Sequence, residues 1–486
     1  MNVAPVDLAI LVVYMAGVVA LGLWIGRGTR SAAEYMVGGK DLPWWVILAS
    51  IVATETSTVT FLSIPGFAYG RDLTWLQIAF GFLLGRIAVA IWFLPQFFRG
   101  TLYTAYEVLR DRFGRASQRA ASALFVLTRT LADGLRLFLT AIVLQEMTGM
   151  RLATAVVALG VATILYTYFG GMRSVLWTDL VQFSVYMTGA VVAFALLLDR
   201  LPGGWSGLLA SADAAGKLRI FDLSFAPSQP YALWAGILGG IFITFGSHGA
   251  DQMMVQRYLA ARDLKDARKA LVASGFVIVL QFALFLLIGL GLWAFYTHFP
   301  PARAFDRADR VFAHFILTEM PRGTVGLLLG AIFAAAMSTL SSSLNSCATA
   351  AANDLWPEAR RDAASPARRL LVTRVLTAIF GVAQIVVGIA GQWLAESVVA
   401  AVLGIAAFTI GIVLGVFFLG MATRRVGERA ALTAFALGLA AMTWVFFATK
   451  LAWPWYALVG SGATFAIGIV ASFVVTDRRR GSARVR

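Results

Sequence analysis

Apolar runs of 20 residues and more recur along the whole chain, and no other feature narrows the fold as much. About 20 helical residues cross the roughly 30 Å of a bilayer's hydrocarbon core. In lipid each backbone group must be bonded within its own segment, so these runs are helices unless they line a polar cavity. The pattern predicts an all-α polytopic membrane protein of about thirteen spans. They fall near 6–26, 43–70, 74–98, 118–149, 151–169, 175–199, 230–256, 270–297, 323–353, 370–391, 394–420, 430–449 and 453–475. Charged residues make up 13% of the chain, about half the share of a soluble domain.

The formal charge of +15 would suit nucleic acid, but the cations lie in loops between spans, so no nucleic-acid partner is expected. One set of loops carries Arg27, Arg30 and Lys40, Arg99 to Arg119, Arg173, Arg257 to Lys269, Arg360 to Arg374, Arg424 to Arg429 and the tail Arg478–Arg486. It holds about 27 of the 40 basic residues, and cytoplasmic loops are the ones enriched in Lys and Arg. The expectation is a multi-pass protein of the cell inner membrane with its N-terminus outside and its C-terminus in the cytoplasm. The first span has Arg27 and Arg30 after it and no basic stretch before it, so it reads as an uncleaved anchor. Of two long outer segments, 200–229 reads as a loop and 298–322 as a loop or a short interfacial helix. The single Cys347 excludes an internal disulfide, and three scattered histidines offer no paired haem ligands. No nucleophile–base pair or metal cluster suggests an enzyme.

Two spans are interrupted by polar residues. The first carries Thr54-Glu55-Thr56-Ser57-Thr58-Val59-Thr60 before Pro65-Gly66, and the second carries Phe245-Gly246-Ser247-His248-Gly249-Ala250-Asp251-Gln252. Each is either an unwound helix whose carbonyls face a cavity, or a kinked helix with hydroxyls bonded back to carbonyls. They head two five-span groups, 43–200 and 230–420, flanked by 1–42, the loop 201–229, and 421–486. An odd repeat length inverts the second group, and matching broken helices in inverted halves point to a midplane binding site.

The ninth span is dense in neutral oxygen, from Ser338 to Ser346, with Ser338, Ser342 and Asn345 on one face. That suits either a weakly held hard cation or close helix packing. Asp179 is either a cation ligand or a carboxylate paired with Arg173 or capping the helix region. In the fourth span Asp133 lies within a turn of Arg129 and Arg136. The three either neutralise one another, or Arg136 stays free enough to clamp a solute carboxylate. Arg86 has no evident partner in the sequence.

These residues resemble the sodium/solute symporter family. The resemblance is carried by Ala49–Gly70, Tyr166–Gln182 (YTYFGGMRSVLWTDLVQ), Asp251–Ala261 (DQMMVQRYLAA) and Ala334–Thr349. It implies a LeuT-like five-plus-five inverted core with one helix before it and two after it. It also implies a monomeric functional unit that couples import of a small polar solute to one or two Na+ ions. The sodium site it implies takes the carbonyls of Ala53, Thr56 and Ala335 with the hydroxyls of Ser338 and Thr339. A second sodium would take Asp179, Ser338, Ser341 and Ser342. The candidates facing the solute space are Glu55, Ser57, Thr60, Gln77, Arg136, Thr244, Ser247, His248 and Gln252, with Trp75 and Phe245 as gates. Glu55 departs from most of the family. It leaves open a proton-coupled symporter, beside the alternative of a transport-silent sensor or channel.

Overall fold

The computed structural model describes residues 3–301 and 303–475. The basic tail Arg478–Arg486 lies outside the described residues. Among the described residues, eight helices are long and apolar enough to cross a membrane, or nine when one bent pair counts as a single span. Large apolar side chains such as Val13, Trp24, Leu280 and Val386 are exposed on them, as a lipid-facing surface requires.

Helix α1 (Pro5–Gly26) opens on a proline at its first turn, where no N–H is needed. It leads through a short helix to α2 (Trp44–Glu55) and α3 (Thr58–Gly70), whose axes differ by 62°. Next come α4 (Leu76–Trp92), α5 (Arg115–Thr148) and the long run α6 (Leu152–Arg200). The second interruption follows: α7 (Gly240–Gly249), preceded by one π-helical turn, and α8 (Gln252–Leu259). The chain continues as α9 (Leu264–His298), α10 (Thr324–Ala350), α11 (Pro366–Ala390), α12 (Glu396–Ala422), α13 (Glu428–Ala448) and α14 (Tyr456–Val474).

The run α6 contains two of the expected spans. Tyr166 reaches the Met337 carbonyl, and Gly189 packs on Ala331. The partners are about 9 Å apart along α10, whereas a straight α6 would separate Tyr166 and Gly189 by about 34 Å. The run therefore folds back, at Gly171 (φ 58°, ψ −154°). Only glycine holds that conformation readily, and a β-carbon there would also stand 2.6 Å from the Tyr35 carbonyl oxygen.

Helix α10 is almost wholly buried, so its serines face neighbouring helices and not lipid. Its N-terminus is capped from afar: Asp7 accepts from the backbone N–H groups of Gly323 and Gly326, each at 2.7 Å. A carboxylate there meets the positive end of the helix dipole. Small residues bring helices into contact elsewhere. A β-carbon on Gly81 of α4 would lie 2.5 Å from the Gly236 carbonyl.

Two segments between spans differ from expectation. The 200–229 stretch, read as a loop from its Gly, Pro and Ser, contains a helix, Gly204–Ala214, that buries Leu208 and Ala212. The 298–322 stretch does form a helix, Arg310–Glu319, but its apolar face meets protein. Phe312 lies against Phe61 and Phe315 against Phe295.

Candidate functional site

At the first interruption α2 ends at Glu55, Thr56 is extended, and the Ser57 hydroxyl accepts from the Thr60 N–H to start α3. The end of α2 leaves carbonyls without partners inside the helix. Ser338 of α10 donates to the Ala53 carbonyl at 2.9 Å, and Thr339 donates to the Thr54 carbonyl at 3.1 Å. Both hydroxyls also approach the Ala335 carbonyl, at 3.2 and 3.3 Å. Five neutral oxygens thus converge at one place. Thr339 meets the carbonyl of Thr54 in place of that of Thr56. The Thr56 hydroxyl donates to Val52 and accepts from Gln281 at 2.7 Å.

Deeper in the bundle, Asp179 is completely buried and accepts from Ser50 at 2.5 Å. Its cationic partner is Arg257, at 3.2 Å, and not Arg173, which pairs with Asp41. The Arg257 guanidinium also bonds Ser342, Thr54 and Ser50. Asp179, Ser342 and the Thr54 hydroxyl therefore surround a side-chain cation. Ser341 donates to the Ser338 carbonyl at 3.2 Å. Arg257 had been counted among the loop cations, yet it is 1% exposed, because α8 extends past the expected end of its span.

Beside both clusters lies a cavity of about 350 Å³. Its wall includes Glu55, Ser57, Thr60 and Ser247, together with Arg129, Arg136 and Asp251. Phe82, Tyr106, Phe125, Phe282 and Thr409 also line it. None of these five stands out in the sequence, and Thr409 comes from α12.

The other candidates are held elsewhere. Gln77 is fully buried and bonds the Thr74 and Tyr231 carbonyls and the Asp222 N–H, anchoring the loop that holds Asp222 and Tyr231. Gln252 accepts from Ala105 and donates to Tyr103. Thr244 packs on Gly85. His248 is buried, with Nε2 2.5 Å from Glu55 and Nδ1 2.5 Å from the Tyr258 hydroxyl. Phe245 belongs to a buried cluster with Phe93, Phe242 and Phe418. Trp75 stacks with Tyr231, Trp453 and Phe282, one ring away from the cavity.

Each arginine near the cavity has an acidic partner. Arg86, unpartnered in the sequence, is ion-paired to Glu55. Arg129 lies 3.9 Å from Asp133 but only 2.7 Å from Asp251. Asp133 is thereby left mainly to Arg136, at 2.7 Å. The Arg136 side chain is 40% exposed, against 1% for Arg86 and 13% for Arg129.

Apolar helices, two of them interrupted around a shared polar cavity, with neutral oxygens converging beside it, define a membrane transporter. The chain belongs to the sodium:solute symporter family, whose sequence model matches residues 35–438. It is a sodium-coupled symporter and not an enzyme, and sodium, in place of the proton left open at Glu55, is the coupling ion. It is similar to the sodium/sialic acid symporter SiaT of Proteus mirabilis, 27% identical over 96% of this chain and 95% of the relative. The human sodium/iodide cotransporter is 29% identical over 87% of this chain and 67% of its own length. The substrate-bound outward-open structure of a Na+-coupled sialic acid symporter superposes with a TM-score of 0.90, at 26% identity over 97% and 98% of the chains. Mhp1, a nucleobase-cation-symport-1 transporter, shares the fold at a TM-score of 0.56 and 15% identity over 92% and 95%.

Proposed function

We propose that this symporter imports a small organic carboxylate with sodium, and that Arg136 receives the carboxylate. The observation that carries this reading is the unequal engagement of Arg129 and Arg136 on the cavity wall and Arg86 behind it. Arg86 and Arg129 are buried against Glu55 and Asp251, whereas Arg136 keeps one acidic partner and an open face. A guanidinium can hold Asp133 with one edge and a carboxylate with the other. Ser57, Thr60 and Ser247 supply hydroxyls on the same wall for the rest of the solute. The relatives are named for sialic acid, iodide and monocarboxylates, all anions.

The coupling ion binds where Ala53, Thr54 and Ala335 carbonyls meet Ser338 and Thr339. The hydroxyls that now donate to those carbonyls turn their lone pairs to sodium when it arrives. Neutral oxygens hold such an ion without excessive affinity. Sodium joins the end of α2 to α10 and so favours the solute-accepting conformation. An ion binding both conformations equally would shift nothing. A second sodium at Asp179 and Ser342 requires Arg257 to leave first.

The orientation follows the loop charges, and the repeats follow the two matching interrupted spans. The chain makes about thirteen passes as two inverted five-span repeats, 43–200 and 230–420, in a monomeric unit. The N-terminus is outside, and so is the 201–229 segment.

The test is uptake into proteoliposomes under a sodium gradient, screened with sialic acid, pyruvate, iodide, glucose and proline. Sodium-dependent uptake of a carboxylate is expected. Arg136→Gln should lower its apparent affinity roughly hundredfold, since hydrogen bonds to charged groups contribute about 1.5–3 kcal/mol each. Normal carboxylate uptake by that variant would overturn the assignment.

A further inference from the structure

We propose that Arg71 forms a second, weaker carboxylate site, a cationic lip at the outer mouth of the transport path. The inference rests on the carboxylate reading above and on the outward placing of this face.

Arg71 ends α3, eleven residues beyond Thr60 of the cavity wall, or about 16 Å along a helix. It is exposed. Its guanidinium carbon stands 5.6 Å from the Phe67 ring centre and 5.2 Å from that of Tyr231. Stacking uses the face of a guanidinium and leaves its N–H edges free for a planar anion. The support is ordered. The Arg71 N–H donates to Phe67 at 2.8 Å, and its carbonyl accepts from Lys217 at 2.7 Å. The Tyr231 carbonyl accepts from Gln77 at 2.8 Å.

The neighbouring cations are engaged. Lys217 serves the last carbonyls of α3, at Ala68, Tyr69 and Arg71. Arg219 holds the nearby carboxylates Asp72 and Asp222, at 3.1 and 3.8 Å. Among the described residues, Arg71 makes no ion pair within 4 Å, and its one acidic neighbour, Asp222, interacts with it only through space and lies closer to Arg219. Arg71 differs in this from Arg86, Arg129 and Arg136.

The rings that support Arg71 continue inward. Phe67 and Tyr231 both contact Trp75, at 5.6 and 5.3 Å between ring centres. Trp75 contacts Phe282 at 6.1 Å, and Phe282 lines the cavity. The cation thus sits on the outer side of an aromatic plug whose inner side is the cavity wall. An anion held there is already in place when the plug opens. One well-placed charge at a mouth raises capture and makes it depend on ionic strength.

The test uses the full chain in proteoliposomes and the initial sodium-driven uptake of radiolabelled sialic acid and pyruvate at low and high ionic strength. Arg71→Gln should raise KM roughly three- to tenfold at low ionic strength, with Vmax retained, and should flatten the salt dependence of KM. Arg71→Lys, which keeps the charge and loses the planar fork, should recover part of the loss. The proposal fails if Arg71→Gln keeps the parent's KM and salt dependence while Arg136→Gln shows its expected loss of affinity. If Arg136→Gln also transports both acids like the parent, the carboxylate reading falls and the lip with it.

Discussion

The two interruptions look alike in sequence, since each sets polar residues in the middle of an apolar span, but neighbouring side chains meet the helix end at one and the helix start at the other. At the first, the end of α2 presents carbonyls, and α10 answers with two hydroxyls that can rotate. At the second, the start of α8 presents N–H groups, and its own Asp251 takes the Met253 N–H at 2.8 Å and holds Arg129. Gln252 then ties the same turn to Tyr103 and Ala105. A break whose polar groups are met by neutral, rotatable oxygens can trade its partner for an ion. A break closed by a carboxylate, an arginine and an amide is a fixed joint. The difference lies in the neighbours of each break.

The comparison is most exposed at Asp251. Asp251→Ala removes a helix cap, at about 1 kcal/mol, and leaves Arg129 buried without its closest partner, at about 3–5 kcal/mol. The expected outcome is a large loss of folded protein, read by size-exclusion recovery and thermal melting in detergent. A variant that melts with the parent would mean that the second break is not a structural joint. At the first break the reverse is expected. Ser338→Ala with Thr339→Ala should leave the melting temperature within a few degrees while lowering sodium affinity roughly hundredfold. Two oxygen contacts to a charge contribute about 3 kcal/mol together on a conservative count. Normal uptake at low sodium by this double variant would remove the ion from that site.

The helices were legible because hydrocarbon thickness imposes a length, and the observed ones stand within a few residues of the apolar runs. The fold-back in α6 left a weaker mark, Gly170-Gly171, since a tight turn costs no polar stretch. The converging oxygens at Ser338 and Thr339 were reached through the family resemblance, because a mid-span hydroxyl cluster by itself suits close helix packing as well as a cation. Gln77 and Gln252 bond loop backbone, a partner their sequence does not announce. A buried amide can bond a solute or the backbone of a loop, and sequence does not say which carbonyl will be near. Pairings across helices were likewise hidden: Glu55 with Arg86 and Asp251 with Arg129 join residues 31 and 122 positions apart. The open face of Arg136 follows from the second of these, because Asp251 draws Arg129 away from Asp133.

The smallest effect expected concerns a cation that crosses between the two breaks. Arg257 leaves α8, the far half of the second break, and ends among Ser50, Thr54, Asp179 and Ser342 beside the first. If sodium uses Asp179 and Ser342, it competes with a cation tethered to the fixed joint, so the second ion binds only when Arg257 withdraws. Arg257→Gln removes the competitor and keeps a hydrogen-bonding group of similar reach. The expected result is a rise in the Hill coefficient for sodium from near one toward two, with a severalfold gain in apparent sodium affinity. Melting in detergent beforehand establishes that the variant is folded, because a buried guanidinium with this many partners also holds helices together. An unchanged coefficient in a folded variant, together with unchanged affinity, would make Arg257 and Asp179 a structural pair. The first break would then couple one ion, through Ser338 and Thr339 alone. A raised coefficient would instead mean that the fixed joint times the release of the ion it does not touch, by returning its arginine to Asp179.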